Sequence, residues 1–424
     1  MINRKIGPGS HRIESLFIPE MEIYTLENGV KVCEVNLGSQ DVIKIEVVHL
    51  AGRVVEECPL TARAVSSLIK DGCGHKTSAQ VAEEIDYFGS SIKTGSNMDF
   101  SYSTVYSLTK YGENIIPLLH DMYYQPVFPE EEIQKFKHLN IQKLKEELSK
   151  NEVITYRHIT EEIFGKNHAY GYNSQEEDYI NLNYDNIYSH YINHYGSDNC
   201  YIFVSGKIND RIRYLISEYF GTVRKPAKQH RYEPCTQPVT GKKIRLTSKN
   251  EHQSAIKTGR KLFDKNHPDN AAFFVMNTIL GGYFGSRLMT RIREELGYTY
   301  DIDSSIDQML YDGCFYISTE AASEYVEPIL KESYHQMHLL KDEKVQETEI
   351  SMVKNYLMGN FMNMLDGPMN VASFAKSMIL TNKHPKEFQE FVGQMLETGA
   401  EQIMDVAQRY LNIEKFTEVV VEPQ

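Results

Sequence analysis

Residue types able to do chemistry are plentiful in this chain but seldom stand at a useful spacing. His190-Tyr-Ile-Asn-His194 sets two imidazoles four residues apart, which puts both on one face of a helix and can hold a metal ion. No glutamate occupies a general-base position between them, so the pair reads as packing, and His335-Gln-Met-His338 reads as a surface pair. The six cysteines, Cys33, Cys58, Cys73, Cys200, Cys235 and Cys314, form no Cys-x-x-Cys, which argues against a thiolate zinc site or a redox couple and suits a reducing compartment. No Gly-x-Ser-x-Gly elbow activates a serine, and Gly281-Gly-x-x-Gly285 lacks the Lys-Ser/Thr that would complete a phosphate loop. Its glycines read instead as positions of close helix entry. Taken alone, the sequence offers neither an activated nucleophile nor a complete metal site.

The elements that must position these residues follow from hydrophobic period. Alternation predicts strands over 30–35, 42–49, 91–95, 99–108 and 201–205; helical spacing predicts helices over 61–70, 79–88, 115–124 and 129–150 and a helical stretch ending at 195. After a turn-rich stretch over 224–238 the order returns: a strand over 255–262, helices over 269–279 and 284–295, strands over 299–307 and 314–319, further helices, and a last strand over 418–421. Gly72 pairs with Gly282, Gly89 with Gly297 and Ile116 with Ile329, at offsets of 210, 208 and 213 in a chain whose half-length is 212. A period that long implies duplication of a whole domain. The expectation is an α+β fold of two homologous lobes, each a mostly antiparallel sheet covered by helices: residues 1–223, a linker over 224–240, and residues 241–424. Ligands favour the cleft between such lobes.

Composition narrows the function classes. Fifty-eight acidic against forty-five basic residues give a net charge of −13, which repels phosphate backbones and argues against nucleic acid. No tract approaches the roughly 20 apolar residues of a membrane span, and the opening residues carry no apolar signal core, so a cytoplasmic protein is expected. Twenty-eight tyrosines stand beside no tryptophan.

The segment Gly281-Gly-Tyr-Phe-Gly-Ser-Arg-Leu-Met-Thr-Arg-Ile-Arg-Glu-Glu-Leu-Gly-Tyr-Thr-Tyr300, with Asp312-Gly313 after it, resembles the second-half signature of the insulinase, or pitrilysin, peptidase family, in particular its small bacterial and mitochondrial-processing-peptidase-like members. In the first half Gly52-Arg53 with Glu56, Gly72, Gly89, the 99–108 strand, Pro126 and the 199–206 segment fall at family landmarks, so the likeness covers the whole chain. Members that cut peptides carry His-x-x-Glu-His on the helix before the glycine numbered 72 here. Two imidazoles one turn apart then hold Zn²⁺ and the glutamate takes a proton from metal-bound water. The corresponding positions here are Arg63-Ala-Val-Ser66-Ser67. Arginine and serine are not usual zinc ligands, and a hydroxyl is too weak a base to replace the glutamate. Glu146 and Glu147, on the helix that supplies the family's third ligand, then read as solvated charges.

The resemblance further implies an arginine and a tyrosine seven residues apart in the second half, aimed at the substrate carbonyl. Arg293 with Tyr300 is preferred and Arg291 with Tyr298 is the alternate; Gly297 is expected to end the arginine's helix in a left-handed cap. It also implies that the strand Ser91-Ile92-Lys93-Thr94-Gly95 is a sheet edge open to an extended peptide. The implied function is the subunit without zinc of a heterodimeric zinc peptidase, binding no metal or cofactor itself and acting on peptides with a homologous zinc-bearing chain. The rival is a non-proteolytic scaffold or peptide-binding homologue.

Overall fold

The computed structural model describes residues 15–222, 227–228, 232, 241–249 and 252–424. Most of the expected linker, Cys235 included, lies outside them. The first lobe runs β1 (Glu22–Thr25), β2 (Lys31–Val35), β3 (Val42–His49), α1 (Thr61–Leu68), a small hairpin of β4 (Gly72–Cys73) and β5 (Lys76–Thr77), α2 (Ser78–Tyr87), β6 (Ser91–Ser96) and β7 (Ser101–Leu108). Helices α3 (Gly112–Tyr124), α4 (Glu130–Glu147), α5 (Asn151–Phe164), α6 (Glu176–Asn181) and α7 (Tyr184–His194) follow, then β8 (Cys200–Gly206) and α8 (Asp210–Phe220). The second lobe runs β9 (Lys243–Ser248), β10 (Ser254–Leu262), α9 (Asn270–Leu280), a π-helix (Met289–Glu295), β11 (Thr299–Gln308), β12 (Gly313–Ala321), helices α10 (Val326–Asp342), α11 (Glu347–Met364), α12 (Gly367–Ile379), α13 (Glu387–Glu397) and α14 (Ala400–Tyr410), and β13 (Thr417–Pro423).

The first sheet has the order β1-β2-β8-β3-β7-β6, the second β9-β13-β10-β12-β11. Read in that direction, β2, β8, β3, β7 and β6 correspond one by one to β9, β13, β10, β12 and β11. Each sheet is antiparallel except for one parallel pair, β2 with β8 and β9 with β13. The element order read from the sequence is the order observed. Four short strands and helix α8 escaped it: β4 and β5 are two residues each, and β1 and β9 are sheet edges with few buried side chains, where no run of buried residues marks a strand.

All of β3 after its first residue is buried, because both sheet faces are covered. One face of the first sheet packs on the lobe's own helices, in a core that includes Ile43, Ile45, Val65, Leu68 and Leu119. The other face, with Cys33, Val35, Val48, Tyr201 and Phe203, is covered by Val371, Ala372 and Ala375 of α12, a helix of the second lobe. Reciprocally, α5 of the first lobe lays Ile159, Ile163 and Phe164 against Cys314 and Val419 of the second sheet.

A buried lysine sits at the same place in each exchange. Lys44 on β3 donates to Ser373 Oγ of α12 at 3.2 Å and lies 3.2 Å from Glu46, which also receives Lys376 of α12 at 2.5 Å. Lys257 on β10 donates to Ser318 Oγ at 2.5 Å and lies 3.8 Å from Glu152 of α5. Burial pulls the Lys257 ammonium below its ordinary pKa.

The tyrosine-rich composition also has a structural use. Phenols donate to carboxylates in the pairs Tyr24–Glu34 (2.7 Å), Tyr156–Asp307 (2.9 Å), Tyr170–Asp99 (2.5 Å), Tyr172–Asp178, Tyr334–Glu418 (2.7 Å) and Tyr410–Asp269 (2.6 Å). A tyrosine contributes apolar area to the interior together with a donor that satisfies an acid there. Tyr156 and Tyr170 span the two lobes or stand at their seam.

Removing one member of a buried ion network leaves the others uncompensated. Glu46→Gln is expected to destabilise the chain by about 3 kcal/mol, read as a lower urea midpoint. The triple change Lys44→Met, Glu46→Leu, Lys376→Met should recover most of that loss.

Candidate functional site

Helix α1 begins where Glu56 Oε1 accepts from the Ala62 backbone N–H at 2.8 Å, after Leu60 turns the chain at φ +68°. Desolvation lifts the Glu56 carboxyl to about 7, although that backbone bond and the positive field of Arg53 oppose the rise. One turn later Arg63 donates to the Tyr179 hydroxyl at 2.7 Å, while buried Ser66 donates to the Arg63 carbonyl oxygen at 3.1 Å. Ser67 is half-buried. A guanidinium and two hydroxyls, two of the three groups already turned to protein acceptors, do not fit a zinc ion.

Glu146 and Glu147 at the end of α4 face Lys150 (3.9 Å) and Lys143 (3.7 Å) along the helix surface. Among the described residues no cluster of three His, Cys, Asp or Glu side chains is arranged to hold a metal. His190 has Nε2 3.2 Å from the Ala51 carbonyl oxygen and Nδ1 3.3 Å from Thr61 Oγ1, and burial drops its pKa to about 3. It is a neutral packing residue, as the spacing analysis expected.

Strand β6, residues Ser91 to Ser96, pairs with β7 on one side and is the edge of its sheet. Among the described residues no backbone group bonds its other side. Its counterpart β11 is also an edge, but a closed one. The Ser304 N–H donates to the Gly281 carbonyl oxygen at 3.2 Å, the Asn277 side-chain amide donates to the Ser304 carbonyl oxygen at 3.1 Å, and the Ile302 N–H points at Met289 Sδ, 3.5 Å away. Gly281 permits this approach: a Cβ there would lie 2.6 Å from the Ser304 nitrogen. The Gly281-Gly282 pair is thus a device of close packing, not a phosphate loop. An open edge retains unpaired N–H and C=O groups that can receive an extended peptide.

The candidate arginines lie on the π-helix, with bonds from the Leu296 N–H to the Arg291 carbonyl and from the Tyr298 N–H to the Ile292 carbonyl. π-Turns concentrate at functional sites. The sequence predicted an ordinary helix over 284–295. Gly297 then takes φ +66°, the left-handed cap expected of it, and β11 begins.

The two arginines diverge. Arg291 turns toward Glu295 (2.5 Å) and Glu332 (3.4 Å). Arg293 lies over the Phe284 ring, 4.5 Å from its centroid, with no carboxylate within 4 Å among the described residues. Tyr298 stacks on Tyr325 at 4.8 Å, whereas Tyr300 is 88% exposed. Arg293, Tyr298 and Tyr300 line one cavity of about 700 Å³, joined by Phe284, Tyr325 and Gln253. Arg291 is not part of its wall. The spacing of Phe284 gives no sign of its role, since nothing in the sequence shows an aromatic ring beneath an arginine nine residues away.

Residues 181–357 match the family model described as the peptidase M16 inactive domain. An uncharacterized zinc protease of Bacillus subtilis is 22% identical over 408 residues, covering 94% of this chain and 98% of that protein. Two solved structures share the fold. A peptidase M16 inactive domain from Pseudomonas fluorescens has a TM-score of 0.86 at 19% identity, covering 95% of this chain and 98% of its own. A protease from Helicobacter pylori has a TM-score of 0.87 at 17% identity, covering 96% and 100%.

The raised Glu56 pKa carries a sign. The folded state favours the protonated carboxyl, so its contribution is fully present below the unfolded value near 4.5 and is lost as pH rises through about 7. Relative to Glu56→Gln, which keeps the acceptor for Ala62, the parent chain should lose about 2 kcal/mol between pH 4.5 and 7.5. Urea unfolding of both proteins across that range measures it, and parallel curves would be the contrary result.

Proposed function

We propose that the chain is an M16 peptidase homologue and the subunit without zinc of a two-chain peptidase, lending Arg293 and Tyr300 to a zinc-bearing relative. The observation that carries this reading is the freedom of the pair. In a molecule where phenol after phenol is held by a carboxylate, Tyr300 projects into solvent, and Arg293 rests on an aromatic face beside it, both on the wall of a cavity of about 700 Å³. A guanidinium and a phenol O–H are donors that can meet a carbonyl oxygen as it gains negative charge. The partner supplies the metal and its activated water; this chain's donors hold the substrate carbonyl and stabilise the oxyanion. The Ser91-Ile92-Lys93-Thr94-Gly95 edge, beside α1, holds extended peptide by main-chain bonds.

The site at α1 supports the same division of labour, since its side chains do not suit zinc while the opposite lobe keeps its donors. A cytoplasmic location is part of the proposal, resting on the scattered spacing of the six cysteines in the sequence. No helix among the described residues is long and apolar enough to cross a membrane. The open β6 edge also suits a homologue that binds peptides and cuts nothing, and activity of the complex separates the two readings.

Purified with a zinc-bearing relative, the complex should cleave peptides, while this chain alone should be inactive and free of stoichiometric zinc. Arg293→Ala should lower kcat about 100-fold and Tyr300→Phe by at least tenfold, with zinc content and association unchanged. Arg291→Ala and Tyr298→Phe should stay within about threefold, because one arginine is committed to glutamates and the Tyr298 ring, not its hydroxyl, does the packing. Full activity after replacing both Arg293 and Tyr300, or cleavage by the zinc-loaded chain alone, would overturn the assignment.

A further inference from the structure

A second cavity, of about 260 Å³, opens at the seam between the lobes. One wall is the turn between β6 and β7, with Asn97 and Asp99; the other comes from the second lobe, with Lys265, Lys376, Ser377 and Thr381. The Asp99 carboxylate is already engaged on both oxygens. Oδ1 receives the Tyr170 hydroxyl at 2.5 Å, and Oδ2 receives the Leu310 backbone N–H at 3.0 Å from the turn between β11 and β12. That bond ties the two hairpin tips together across the seam.

Lys265 and its neighbour Lys383 have no such satisfaction. Among the described residues no carboxylate lies within 4 Å of Lys265 or Lys383, and the Lys383 ammonium meets only the Lys265 carbonyl oxygen, at 3.3 Å. Burial and the nearby Lys383 both depress the Lys265 pKa, with Asp99 opposing. Lys376 shares its charge with Glu46. Two ammonium groups, Lys265 and Lys383, thus stand at one seam with no carboxylate within 4 Å among the described residues and with only the field of Asp99 opposing their charge, an arrangement that an anion would relieve.

We propose that this interlobe cavity binds a small oxyanion, phosphate or a short dicarboxylate, on the Lys265 ammonium. Lys383 adds to the positive field, and the Asn97 side-chain amide can donate a hydrogen bond, while the Ser377 and Thr381 hydroxyls on the same wall already donate to backbone carbonyls. The volume accepts one such ion with a few waters and falls short of a nucleotide or a peptide segment. Because the walls come from both lobes, the bound ion fastens the first sheet's hairpin to the second lobe. The proposal requires nothing of Arg293 or Tyr300.

The test is titration of the full chain with inorganic phosphate and, separately, malonate, at ionic strength held constant with chloride, read by calorimetry and thermal unfolding. Saturation at one site is expected, with the unfolding midpoint rising about 2 °C at ten times Kd. Binding of phosphate alone, or of malonate alone, supports the site and identifies which class it takes. Lys265→Gln should weaken Kd at least tenfold, and Lys383→Gln, which removes only part of the field, about threefold. Should Lys265→Gln not fold, the Lys383→Gln titration decides. No saturable binding beyond the chloride control, or equal Kd in the variants, would overturn the proposal. Peptidase activity of the complex is read separately, so this failure is distinct from failure of the Arg293–Tyr300 reading.

Discussion

Neither half of this chain can bury its own sheet. An antiparallel sheet tolerates water on one face, yet here the second face of each sheet carries Cys33, Val48 and Phe203 on one side and Cys314 and Val419 on the other, and each is covered by a helix of the opposite lobe. The exchange makes two lobes into one cooperative body. Each exchanged helix also reaches a buried lysine on the central strand of the sheet it covers, Lys44 or Lys257. Such contacts tolerate little sliding, because a displaced helix would leave an ammonium buried without its partner. The open edge β6 and the Arg293–Tyr300 cavity are therefore carried on a frame whose lobes do not shift freely.

Within that frame polar groups divide into those that are committed and those that are not. Acids in the interior are met by tyrosines, as Glu34, Asp307 and Glu418 are, and the satisfied pair contributes to packing and hydrogen bonding together. Helix α1 has joined the committed class: Arg63 is bound by Tyr179, and Ser66 by its own backbone. Across the duplication Arg293 and Tyr300 stay uncommitted. Arg293 rests on the Phe284 ring and Tyr300 projects into solvent, so the hydrogen-bond donors of both remain available at the cavity wall.

How much of this was legible in the sequence depends on how local the cause is. Strands such as β3, β7 and β10 carry long apolar or alternating runs and announced themselves, and the matching glycines exposed the repeat. Gly297 as a left-handed cap followed from glycine's freedom at positive φ. The choice between the two Arg/Tyr pairs stayed open, although a cue was present. Glu295 stands four residues after Arg291, the spacing of a helical ion pair, while the residue four after Arg293 is Gly297. What could not be read was tertiary: the π-turn, the exchange of α5 and α12, and the aromatic seat that Phe284 gives Arg293 all depend on chain segments brought together from a distance.

The two edge strands show how a duplicated lobe can diverge without changing its fold. β6 and β11 occupy the same place in their sheets, and both begin as edges with unsatisfied backbone groups. In the second lobe Gly281 brings the end of α9 within hydrogen-bonding distance of Ser304, and Asn277 fills the remaining acceptor. The edge is sealed, and Tyr300 at its start is left exposed. In the first lobe no described backbone group caps β6, and the side chains nearby on α1 have turned inward. One lobe thus presents backbone groups and the other side-chain donors. Under the function proposed above, a peptide is held by main-chain bonds to one surface and met at its carbonyl by donors from another, and neither lobe supplies the pair alone.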